Sequence, residues 1–95
     1  MTVNLSKIAK EDLIDIWLYG ESNWGAVSAD HYLDSLGVFI QTLTDFPEKF
    51  AMRRDFQPSV RLASFRSHLV IYIDTISHIQ IIRVLHQNMD IPHHL

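Results

Sequence analysis

Ninety-five residues are the size of one domain and bury roughly 60–65% of the unfolded surface, enough for a single core. With 47% hydrophobic and 20% charged residues the chain reads as an ordinary globule, which excludes a disordered tail. Zero cysteines exclude a disulfide framework, a thiolate zinc site and a cysteine nucleophile, and fit a reducing, cytoplasmic setting. No apolar run approaches the roughly 20 residues of a membrane span, and the N-terminus lacks the basic-then-apolar order of a signal peptide.

The net charge of −3 averages two unlike halves. Residues 1–48 set Lys7 and Lys10 against eight carboxylates, a balance of −6. Residues 49–95 set Lys49, Arg53, Arg54, Arg61, Arg66 and Arg83 against Asp55, Asp74 and Asp90, a balance of +3, and hold five of the six histidines. Two readings stand. Either helices are simply richer in carboxylates than strands, or the molecule is electrically polar, with an arginine/histidine face suited to an acidic partner.

In chain order, Thr2–Leu5 alternates polar and apolar residues and predicts a first strand. Ser6 offers an N-cap oxygen, and Ala9, Leu13, Ile16, Trp17 and Gly20 keep helical spacing, so a first helix is predicted from Ser6 to Ser22. Asn23, Trp24 and Gly25 break it, with Trp24 read as a staple of the turn. Ala29, Tyr32, Leu33, Leu36, Phe39, Ile40 and Leu43 then give the clearest helical period in the chain. This second helix begins at Ala26 and is ended by Phe46 and Pro47. Gly37, costly inside a helix, is expected to permit close contact with the first helix.

Residues 48–58 show no period and read as a loop. Three strand-like runs follow, Val60–Phe65, His68–Asp74 and His78–Leu85, with polar turns between them. Both alternating sets of the middle run are apolar, so that strand is expected to be covered on both faces. The order β-α-α-β-β-β predicts an α+β domain spanning residues 1–95: a helical hairpin packed on a small antiparallel sheet.

Phosphate-cradling glycine loops, H-x-x-x-H pairs and nucleophile elbows are absent, so neither a cofactor nor a metal site is expected. The set Arg61, Arg66, Tyr72, Arg83 and His86 carries the chemistry for phosphodiester cleavage, with arginine stabilising phosphate charge and histidine or tyrosine moving a proton. The competing reading makes Tyr72 a core residue and leaves the arginines solvated or paired with the acidic helices. Trp17 and Tyr32, at helical spacing, read as core.

Several strings, taken in order, carry a resemblance over nearly the whole chain. They are Ala9 to Leu13 with Ile16 and Tyr19; Trp24-Gly25 with Ala29, Tyr32 and Leu33; and Leu43 with Phe46-Pro47. Arg61 ahead of Ser67 to Tyr72 follows, then Ile82-Arg83-Val84-Leu85-His86 with Met89-Asp90 and the terminal His94-Leu95. The chain resembles ParE-type toxins of the RelE/ParE toxin–antitoxin superfamily. The resemblance implies a bacterial toxin that inhibits DNA gyrase by protein–protein binding, without catalysis, and is neutralised by a ParD-like antitoxin. RelE-type relatives, ribosome-dependent mRNA endonucleases, carry a basic cluster and often a tyrosine in the C-terminal segment. Residues 87–95 hold neither.

On this resemblance the antitoxin is expected to cover exposed members of Leu13, Trp17, Tyr32, Leu36 and Phe39, adding a helix and a strand. The target is expected to meet Arg61, Arg83, His86, Met89 and Asp90. The alternative nuclease would use Arg61, Arg66, Arg83 and His86, and a third reading is a non-toxic homologue that only binds antitoxin. Eight basic residues are few for direct nucleic-acid binding, which is not expected, and no membrane association is expected.

Overall fold

A computed structural model describes residues 1–95. The elements are β1 (Thr2–Leu5), α1 (Lys7–Trp24), α2 (Ala26–Thr42), β2 (Met52–Arg53), β3 (Val60–Phe65), β4 (His68–Asp74), β5 (His78–His86) and α3 (Ile91–His94). Two helices pack on one face of a five-stranded sheet ordered β1-β5-β4-β3-β2. No helix is long and apolar enough to cross a membrane.

The sheet is mixed rather than wholly antiparallel. β3, β4 and β5 form the expected meander, but β1 lies parallel to β5, Thr2 beside His78 and Leu5 beside Ile81. The helical hairpin is the cause. It returns the chain to the end of the sheet where β1 began, so three alternating strands bring β5 back in β1's direction. β2 is the other addition, two residues inside the expected loop that pair with Arg61 and Val60 of β3. Residues 91–94 add a short helix that no periodic pattern announces.

Both helix boundaries shift by a few residues. α1 runs through Trp24 because Gly25 serves as a shared cap for both helices. Its amide donates to Glu21 O and its carbonyl accepts from the Ala29 amide, at 3.0 and 3.1 Å. The φ of 92° this requires is open to glycine and strained for other residues. α2 stops at Thr42, four residues before Phe46, as the amides of Leu43, Thr44 and Asp45 tighten into i→i−3 bonds. Close approach of the helices falls at Gly20, where an added Cβ would lie 3.3 Å from Ala29 Cβ. The expectation for Gly37 is corrected, since it faces open space.

Two apolar clusters hold the layers. Ala9, Leu36, Ile40 and Leu43 pack against Ala63, Val70, Tyr72, Ile79, Ile81 and Val84 between helices and sheet. On the far face Val60, Ile71 and Leu85 are buried under Phe56 and Ile91. β4 is therefore covered on both faces, as its double apolar pattern predicts. Tyr72 is a core residue whose hydroxyl donates to Pro47 O at 2.9 Å.

β1 ends beside Ile81, which leaves the outer edge of the upper half of β5, the side away from β4, without a strand. The start of α1 closes that edge. Ser6 donates its amide to Ile81 O and its hydroxyl to Ile82 O, while its Oγ accepts from the Ala9 amide as the helix N-cap. One turn on, Asp12 accepts the Val84 amide at 3.0 Å and a two-pronged contact from Arg83 Nε and Nη2 at 2.8 and 2.9 Å. Arg83 Nη1 also donates to His94 O, tying down α3. Asp12→Ala strands a mostly enclosed guanidinium and a β-edge amide, so a loss of about 2–4 kcal/mol in urea unfolding is expected. Asp12→Asn, which keeps an acceptor but no charge, is expected to lose less.

Candidate functional site

The turn end of the helical hairpin and the top of β4 and β5 enclose a cleft of about 380 Å³. Helix α1 contributes Ile16, Tyr19, Gly20 and Trp24, and α2 contributes Ser28, Ala29, Tyr32 and Leu33. Ser67, His68 and His86 complete the wall on the sheet side. Tyr19 and Trp24 meet edge to face at 5.7 Å between ring centroids and stand 63% and 67% exposed. Trp24 therefore lines a cleft instead of stapling the turn as expected, because α1 extends through it and carries its ring outward.

The histidine pair comes from a β-bulge. Asp74, Ile73 and Tyr72 face Ile79, Gln80 and Ile81, a register that would set His68 opposite Leu85 if continued. The shift between Ile71 and Tyr72 advances β5 by one residue and sets His86 opposite His68 instead. The two rings meet edge to face at 5.5 Å. Nδ1 of His68 bonds the Tyr32 hydroxyl at 2.5 Å, and Nδ1 of His86 accepts the Asn88 amide at 3.2 Å.

Burial, chiefly, raises the Tyr32 pKa above the ordinary phenol value, the Ser67 amide and Arg66 opposing it. Burial and then the charge of His86 lower that of His68. Near neutral pH the proton therefore rests on the phenol, which donates to His68 Nδ1. Each imidazole, with Nδ1 engaged as an acceptor, is left with Nε2 as its N–H donor.

Arg66 occupies the two-residue turn between β3 and β4 with φ 51°, a backbone region that favours glycine. Its guanidinium lies 4.9 Å from the Phe65 ring centroid and 5.9 Å from that of Tyr32. It has no carboxylate partner. Arg53, Arg61 and Arg83 are instead paired with Asp55, Asp74 and Asp12.

The residues marked out by sequence do not gather in one place. Arg61 donates to Asp74 Oδ1 and Phe50 O, both at 2.7 Å, and clamps the lower end of the sheet. It lies five β5 positions below His86 through the Tyr72–Ile81 register, on the order of 16 Å. Arg83 is spent on Asp12 and the C-terminal helix. The set Arg61, Arg66, Arg83 and His86 therefore does not converge for phosphodiester chemistry, and only Arg66 and His86 share an end of the molecule. Met89 adjoins His86 in a second, acidic hollow with Asp12 and Asp15, while Asp90 bonds His93 at the start of α3. No three His, Cys, Asp or Glu side chains converge as metal ligands.

Of the hairpin residues, Leu36 is wholly enclosed at 0% exposure and presents nothing to a partner, which corrects its expected role. Leu13 and Phe39 are half-buried against the core. Trp17 is half-buried, its indole bridging to Asp30 on α2 at 2.8 Å. Tyr32 lines the cleft. The helices' outward apolar residues are others, among them Ile14, Leu18, Val27 and Val38. Sequence reasoning also passed over His68, whose role depends on the bulge.

Since the folded chain holds His68 below the roughly 6.5 of an unfolded histidine, the unfolded state binds more protons in that range. The stabilisation is complete above about pH 6.5 and is lost as pH falls through the lowered value. The urea midpoint is expected to drop between about pH 7 and 5, and to drop less in His68→Gln.

The family described as "ParE toxin of type II toxin-antitoxin system, parDE" matches residues 3–91. Toxin ParE1 of Caulobacter vibrioides is 36% identical over 91 residues, which are 96% of this chain and 94% of that protein. Toxin ParE1 of Mycobacterium tuberculosis is 32% identical over 92 residues, 96% of this chain and 94% of that protein. A solved chain described as "Chromosomal ParDE TA system from P. aeruginosa" shares the fold at a TM-score of 0.78 and 19% identity, covering 90% of this chain and 95% of that one. Family match and relatives extend over all the principal elements, from the edge strand β1 to the Arg83–Asp90 segment that Asp12 anchors. The chain belongs to the ParE toxins of type II toxin–antitoxin systems.

Proposed function

We propose that this chain is a cytoplasmic toxin that inhibits DNA gyrase by protein–protein binding and is neutralised by a ParD-like antitoxin. Family membership supports the class. The observation carrying the reading is the cleft, an apolar recess with an exposed aromatic rim at the end of the hairpin. Rigid aromatic anchors around a recess of this kind are what a folding-upon-binding segment uses. Within the hairpin set, Tyr32 lines this cleft, Trp17 bridges the two helices through Asp30, and Leu13 and Phe39 pack against the core.

Non-catalytic action fits the fate of the arginines. A nuclease needs cations free to follow developing phosphate charge, whereas Arg61 and Arg83 are fixed by Asp74 and Asp12. In this proposal the target meets His86, Met89 and Asp90, with Arg83 holding that end in place from within and Arg61 bracing the opposite end of the sheet. Direct nucleic-acid binding plays no part, since the few cations that remain unpaired cannot neutralise a run of phosphates.

Purified toxin is expected to inhibit supercoiling by DNA gyrase, and Met89→Asp to weaken that inhibition about tenfold with folding intact. Unaffected gyrase alongside early transcript cleavage in cells would overturn the reading in favour of the nuclease. Unimpaired growth on induction without antitoxin would overturn it in favour of a non-toxic binder. The antitoxin encoded in the adjoining reading frame is expected to co-purify with the wild-type chain. Trp24→Ala is expected to weaken that complex by about 1–3 kcal/mol, measured by calorimetry.

A further inference from the structure

The walls of the cleft are chemically divided. Ile16, Leu33 and the rings of Tyr19 and Trp24 make one side apolar, while His68 and His86 stand together on the other. None of the eleven lining residues is a carboxylate. That is unusual for a hairpin whose residues carry most of the chain's negative charge. Both imidazoles have Nδ1 occupied and keep an Nε2–H without a bonded partner.

Arg66 adds a cation at the same end. Its guanidinium lies 5.9 Å from the ring centroid of Tyr32, one of the lining residues, and no carboxylate of the chain neutralises it. A β-hairpin turn holding a non-glycine residue at φ 51° keeps it there at some cost in backbone strain. Donors and positive charge beside an apolar recess make a complement to one chemical type, an apolar side chain with a carboxylate next to it.

Resting on the antitoxin reading above, we infer that this cleft takes an apolar side chain of the partner segment, with a neighbouring Asp or Glu carboxylate held by Arg66, His68 and His86. Charge complementarity selects the occupant. Asp12, which is paired with Arg83, and Asp15 line the adjoining hollow on the other side of Ile16, Tyr19, His68 and His86. Glu11 and Glu21 repel an acidic segment elsewhere on α1, and the carboxylate-free cleft side, with Arg66 near Tyr32, is where such a segment finds donors.

The probe is 3-phenylpropionate titrated into the whole chain, compared with its neutral amide, followed by NMR of the Trp24 indole and the histidine rings. The acid is expected to bind in the millimolar range and about fivefold more tightly than the amide, as one charge-assisted contact provides. Both Arg66→Gln and His86→Gln are expected to erase that preference while amide binding and the unfolding midpoint persist. Equal binding of acid and amide overturns the inference, as do shifts confined to Lys49 and Arg54. Inorganic phosphate producing the same shifts, with the ring adding no affinity, also overturns it by marking a bare anion site. The antitoxin reading fails separately, if the adjoining gene's product does not co-purify with wild-type chain. If it co-purifies equally with Arg66→Gln, that reading stands and the present inference falls.

Discussion

Beyond Leu5 the edge of β5 has no strand beside it, and a backbone amide left bare within the packed layers costs about 1–3 kcal/mol. Asp12 removes that cost and does two further things with the same carboxylate. By accepting the Val84 amide it continues the edge pairing that β1 abandons, and by gripping Arg83 it fixes the angle at which α1 crosses the sheet. Through Arg83 and His94 O it also sets where the C-terminal helix lies, and with it the Ile91 contact on the far face. One side chain thus links the first helix, the last strand and the last helix, and the cleft above it inherits their placement.

The bulge in β5 belongs to the same construction. Ile81 and Arg83 straddle the shift with Ile82 as the extra residue, so Arg83 lies opposite Ile71, while Val84 returns to the helix side and joins the main cluster. Two residues on, His86 comes back to that side as well, beside His68 and under the turn end of the hairpin. In a regular hairpin His68 would face a leucine, and the cleft would lose one of its two imidazoles. An ion pair at the edge and a histidine pair at the top therefore share one irregularity of register.

The elements that bury one stripe of side chains were legible in the sequence. The three- and four-residue steps of α2 and the apolar runs of β3 to β5 report burial directly, and the order of elements followed from them. Features set by partnership were not legible. Parallel pairing of β1 leaves no mark in four alternating residues, two-residue β2 has no period, and the bulge exists only once β4 and β5 are side by side. The same logic explains the fate of the surface residues. Helical periodicity finds the buried face, so it selects Leu36, which the core has already consumed. Ile14, Leu18, Val27 and Val38 lie off that stripe and carry no periodic signal. Arg61 and Arg83 looked like chemistry because sequence shows a cation without its counter-charge, and Asp74 and Asp12 lie 13 and 71 residues away.

Charge is the quantity most changed by folding. The second half of the chain, at +3 by sequence, spends three of its arginines on carboxylates, one of them drawn from the acidic hairpin. What remains free is concentrated at a few points, and Arg66 is the one set over Tyr32, a wall of the cleft. A diffuse basic face would attract any polyanion and lose affinity steeply with salt. One guanidinium without a carboxylate partner, at the same end as a pair of imidazoles, attracts little at long range, and holds a carboxylate only when an apolar neighbour has already brought it into the cleft. Selectivity of that kind suits a chain whose affinity must be reserved for a particular protein, because the charge contributes only after the shape has been matched.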